Sequence, residues 1–137
     1  MSRSERGSAP LELALVTVPV LAMVMFIVLA GRIVQTTGTV DGAARAGARA
    51  ASTARASSDA QAAARAAVDA NLADAGLPCE GTDVRIETSD FRAGGTVAVR
   101  VTCLLRVSDL GPLPVPGTRT IVSDSVAVVD VYRGAES

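Results

Sequence analysis

Histidine, lysine and tryptophan are absent from this chain, and its 137 residues include one tyrosine, two phenylalanines and two cysteines. Without histidine, the commonest general base and zinc ligand is missing. Without lysine there is no phosphate-cradling G-x-x-x-x-G-K-[ST] loop, and no nucleophile elbow occurs either. The carboxylates Asp83, Glu87, Asp90, Asp109, Asp124 and Asp130 fall singly in alternating or loop sequence, as on a solvated face. Ser123-Asp124-Ser125 reads in the same way, as the exterior of a strand. The chain is therefore not expected to be an enzyme, and no cofactor or metal is expected. Its 13 basic residues, all arginine, stand against 14 acidic ones for a net charge of −1. Arginines dispersed among acids, with no aromatic side chains for base stacking, argue against a nucleic-acid partner.

Charge is also missing locally. From Leu13 to Gly31 the chain reads LALVTVPVLAMVMFIVLAG without one ionisable group. At about 1.5 Å per residue this run spans roughly 28 Å, close to the ~30 Å hydrocarbon core of a bilayer. It predicts a membrane-spanning helix over residues 8–35. A buried helix of a soluble protein is disfavoured, because the rest of the chain is too poor in large apolar residues to surround it. The basic stub MSRSER would suit a secretory signal, but the apolar run is too long for one and small-x-small tripeptides come well past its end. Arg3 and Arg6 precede the run and Arg32, Arg45 and Arg49 follow it, so the distribution of positive charge does not select a cytoplasmic N-terminus.

Residues 36–76 change character to an alanine-rich stretch without proline, which predicts one long helix with a bend near Gly38 and Thr39 as a new cap. Val40, Ala44, Gly47, Ala51 and Ala54 share a face of very small side chains. Ala44, Gly47 and Ala51 could seat another helix closely; an alanine-rich surface helix with no partner is the equal alternative. Gly76 and Pro78 supply a cap and a stop.

From residue 77 to 137 the period becomes two. Val84 and Ile86 alternate with charges, Val97 to Val107 alternate over a full strand, and a third run extends from Arg119 to Tyr132. This predicts a three-stranded antiparallel meander. Ser108 to Gly117 carries Pro112, Pro114 and Pro116 and reads as an extended, exposed linker. The fold class is α+β, a spanning helix continuing into an alanine-rich helix packed on a small sheet. Cys79 and Cys103, with no third cysteine and no C-x-x-C, read as a disulfide, which would place this part outside the cytoplasm. Two buried free thiols are the alternative.

The motif Gly7-Ser8-Ala9-Pro10-Leu11-Glu12 ahead of an apolar helix resembles the processing site of type IV prepilins. With GAARAGARAAS following the helix, residues 5–52 resemble the TadE/TadF pseudopilins of tight-adherence (Flp) pilus systems, and the closing VVDVYRG does so more loosely. The resemblance implies a pilin-like fold and a cytoplasmic leader of residues 1–7. It implies cleavage between Gly7 and Ser8 by a prepilin peptidase, with Glu12 setting register against the amine of a neighbouring subunit. Leu13 stands where major pilins carry tyrosine, which points away from a major-pilin role. The implied function is a minor subunit or assembly factor of a tight-adherence pilus or related secretion system. Its N-terminus would be cytoplasmic and its C-terminal domain extracytoplasmic, at the membrane or in a surface pilus. Its partners would be the membrane, the peptidase, other pilin-like subunits and the secretion platform. An unprocessed, membrane-anchored binding module is the alternative, followed by a cleaved secreted domain.

Overall fold

The computed structural model describes residues 8–111 and 114–134. Helix α1 runs from Ser8 to Ser52. Its 45 residues make a rod of about 68 Å. No break falls near Gly38, through which α1 continues as one helix. Thr36, Thr37 and Thr39 instead donate their hydroxyls to the carbonyls of Arg32, Ile33 and Gln35 one turn back. These bonds keep the threonines inside the helix, so Thr39 caps nothing.

The uninterrupted rod expected from Thr36 to Ala75 is also corrected. Helix α1 stops at Ser52, and a second helix, α2, occupies Ser57–Asp74. At the break, Ser52 Oγ and Thr53 Oγ1 donate to the carbonyls of Arg49 and Ala50, satisfying acceptors that the next turn would have used. The chain then reverses: Gly42 lies beside Asn71, and Gly47 beside Ala64 and Val68. Ala60, Ala64, Val68 and Leu72, each four residues apart, are the buried stripe of α2.

Helix α2 closes on a Schellman motif. Gly76 takes φ +64°, its N–H reaches the Ala73 carbonyl at 3.0 Å, and the Leu77 N–H reaches the Leu72 carbonyl at 3.2 Å. Gly76→Ala is expected to cost about 1 kcal/mol, because an L side chain is strained at this φ. A urea midpoint unchanged from wild type would contradict it.

The sheet is a meander in the order β1-β2-β3, with Gly81–Asp90, Thr96–Arg106 and Thr118–Val128 paired antiparallel. Val97, Val99, Val101, Cys103 and Leu105 of the central strand are buried. They face the two helices, with α1 across β2 and β3 and α2 toward β1. The inner face of β3 is small and partly polar. There Ser123 Oγ donates to Asp41 Oδ1 of α1 at 2.9 Å, and Asp41 also pairs with Arg45 at 2.7 Å. The third strand ends at Val128, short of the expected Tyr132. Val129 turns inward and is fully buried, and Asp130 Oδ1 accepts the Tyr132 N–H to start a 3-10 turn. The β2–β3 connection also departs from an exposed linker. Val107–Leu110 forms a 3-10 turn whose Leu110 is buried, and Gly111 comes close to Leu29 of α1.

Candidate membrane anchor and processing segment

From Pro10 to Val28 every residue of α1 is exposed, and the folded domain approaches this half of the helix only at its end, around Leu29. Leu13 and Phe26 are 70% and 72% exposed, and the most apolar 18-residue window, of mean hydropathy 2.8, has none of its residues buried. A soluble domain leaves no such cylinder in water. The helix is long and apolar enough to cross a membrane, and lipid is the solvent that its surface matches. Its few polar features are compatible with that solvent. Thr17 Oγ1 donates to the Leu13 carbonyl at 2.6 Å, so the hydroxyl is satisfied within the helix. Pro19 contributes no N–H, which leaves the carbonyl four residues back free, as spanning helices tolerate.

Glu12 lies one turn into α1, exposed, before the uncharged run begins. Among the described residues no basic group lies within ion-pair distance of it. Ser8 is the first residue of α1, whereas Gly7 lies outside the described residues.

The small-residue face of α1 is occupied by this same chain. Ala44, Gly47 and Ala51 are buried. A Cβ on Gly47 would stand 2.8 Å from Val68 Cγ2, 3.3 Å from the Ala64 carbonyl oxygen and 3.3 Å from Val99 Cγ1. Gly47 is therefore the point where α1, α2 and β2 meet, and the helix seated on the stripe is α2. Cys79 and Cys103 are joined by a disulfide with a Cα–Cα distance of 5.5 Å, tying the exit of α2 to the middle of the sheet.

The outer face of the sheet holds solvated ion pairs. Arg100 bonds Asp124 at 2.5 Å, directly opposite it in register, and Arg106 bonds Glu80. Asp83 meets Arg85 at 3.2 Å. The hydrogen bond from Arg92, 2.6 Å away, holds the Asp90 carboxyl below its ordinary range, and the bond to Asp124 raises the Arg100 guanidinium. Such exposed pairs contribute little to stability. Among the described residues no cluster of three His, Cys, Asp or Glu side chains could hold a metal ion.

Sequence reasoning missed two features: the return of α2 onto α1, and the docking of the β2–β3 connection against α1 around Leu29. The Ser/Thr-rich segment Ser52-Thr53 and Ser57-Ser58 was the available signal for the first. Leu110, set among glycine and prolines, was the signal for the second.

No curated protein and no solved structure matches this chain. A family model does. The exposed apolar half of α1, Glu12 at its head and most of the small-residue stripe all fall within residues 7–49, the segment in which this chain matches the family of TadE-like proteins.

Proposed function

We propose that the chain is a prepilin-like minor subunit or assembly factor of a tight-adherence pilus or related secretion system, held in the membrane by α1 and processed between Gly7 and Ser8. The observation that carries this reading is the continuity of α1. One helix is exposed and predominantly apolar from Pro10 to Val28 and buries one face in the folded domain from Thr36 to Ser52. That is the build of a subunit that waits in a bilayer by its N-terminal half and is drawn from it into contact with similar helices. In this reading the partners are a prepilin peptidase, other pilin-like subunits and the secretion platform.

Glu12 fits a role in register. At the edge of the bilayer a carboxylate costs less than the ~2.5–3.5 kcal/mol of a charge at mid-membrane. The α-amine created at Ser8 on a neighbouring subunit would compensate it. A disulfide in the folded domain supports placing that domain outside the cytoplasm, with the N-terminus inside.

N-terminal sequencing of the chain purified from membranes tests the proposal. Ser8 is the expected first residue, and Gly7→Leu is expected to leave the chain uncut, because a bulky side chain crowds the scissile bond. Met1 or Ser2 at the terminus of the wild-type chain would identify an unprocessed anchor. A start beyond Gly31 would identify a secreted domain.

A further inference from the structure

The β2–β3 connection and the membrane-proximal stretch of α1 enclose an apolar cleft of about 330 Å³. Val24, Val28 and Leu29 line it from the helix, and Leu110 and Val115 line it from the connection. Arg32, exposed and the lining residue of α1 nearest the folded domain, also lines the adjoining, more polar recess, where Gln35, Thr36 and Asp109 are found. Among the described residues Arg32 has no ion-pair partner.

Position along the helix identifies what fills this cleft. Val24 lies about 12 Å below Arg32, within the ~15 Å half-thickness of a bilayer's hydrocarbon. Because Leu110 and Val115 line the cleft at the level of Val24 to Leu29, the connection reaches lipid depth. Irregular backbone at that depth is costly through its unsatisfied N–H groups. Pro114 and Pro116, on either side of Val115, have none to satisfy.

From this geometry we infer that the cleft holds an acyl chain of a membrane phospholipid, with Arg32 on the lipid's phosphate. An apolar slot with a single unpaired guanidinium at its end nearest the folded domain has the polarity of a phospholipid from tail to head. Such a lipid, gripped between α1 and the β2–β3 connection, fixes the depth and rotation of the folded domain over the membrane. The inference rests on α1 spanning the membrane.

Two reporters separate the inference from its premise. The chain has no tryptophan, so Val115→Trp and Leu21→Trp each provide a single indole. Each full-length variant is reconstituted into phosphatidylglycerol vesicles brominated either near the glycerol end or near the tip of the acyl chain. Leu21→Trp is expected to be quenched most by bromine near the tip. Val115→Trp is expected to be quenched most near the glycerol end, several-fold more strongly than by aqueous iodide. If Leu21→Trp escapes both bromolipids, α1 is not in the bilayer and both readings fall. Quenching of Leu21→Trp with Val115→Trp reached only by iodide leaves the anchor standing and overturns the lipid cleft. Protection of Val115→Trp from both quenchers identifies a second protein copy as the cover and overturns it too. Arg32→Gln is expected to lower several-fold the phospholipid retained through detergent exchange, measured as phosphorus per chain. Equal retention would remove Arg32 from the site.

Discussion

Replacing both cysteines, Cys79→Ala with Cys103→Ala, is expected to lower the stability of the folded domain by about 3 to 4 kcal/mol through the loss of loop closure alone. The bond joins residues 24 apart in sequence, and cross-linking a loop of that length removes entropy from the unfolded chain. Packing adds to this, because Cys103 is fully buried in the central strand and alanine leaves part of its space empty. The loss is large beside the 5–15 kcal/mol or so that holds a typical domain together. The domain is poor in large side chains: its buried stripe on α2 is Ala60, Ala64, Val68 and Leu72, and no aromatic ring is among its buried residues. Urea titration of the full chain in detergent micelles, followed by far-ultraviolet circular dichroism, measures the effect. The midpoint should fall in the double variant, and reductant should shift wild type in the same direction. Residual helicity from the apolar half of α1 should persist past the transition, since its stability comes from the micelle. Equal midpoints with and without the cross-link would refute the argument.

The second large effect is expected at Gly47, where Gly47→Leu should cost about 2 to 3 kcal/mol by forcing apart three elements at once. Leucine regains nearly 1 kcal/mol of helix propensity over glycine, and that gain is included. Gly42 provides the control within the same helix. A Cβ there meets only Asn71 Oδ1, at an ordinary 3.8 Å, so Gly42→Ala should stabilise by up to about 1 kcal/mol. Gly47→Ala must displace the stiff Val68 and should lower the midpoint instead. Opposite signs for the same substitution five residues apart would locate the close approach of α1 to α2 at Gly47. A stabilising Gly47→Ala would show that the helices are not in contact there.

Several features were legible because they are local. The absence of charge from Leu13 to Gly31 is enough to specify a helix long and apolar enough to cross a membrane, since no folded context is needed to make that run apolar on every side. Alternation in β2 assigns Val97 through Leu105 to one face, and the short link from Phe91 to Gly95 pairs β1 antiparallel with β2. Gly76 ends its helix where a left-handed residue was needed, two positions before a proline.

Other features depended on partners distant in sequence. Glycine at 31, 38, 42 and 47 favours a break in α1, yet the helix continues. Buried contacts of Val40, Ala43 and Ala44 with the rest of the core outweigh the per-residue penalty of glycine, and Gly47 uses its missing side chain to admit α2. Conversely, alanine-rich sequence favours continuation through Thr53 to Ala56, yet the chain reverses. A straight rod would leave the Ala60 to Leu72 stripe in water, and folding back buries it against α1.

What the sequence by itself determined is the polarity of each segment and the period of each element: an uncharged apolar surface over the first half of α1, helical spacing to Asp74, and alternating strands beyond. What only the tertiary structure decided is which small surfaces meet. Alanine and glycine stripes carry almost no chemical label, so their pairing is selected by how much area a given chain reversal can bury, and that sum is taken over the whole domain.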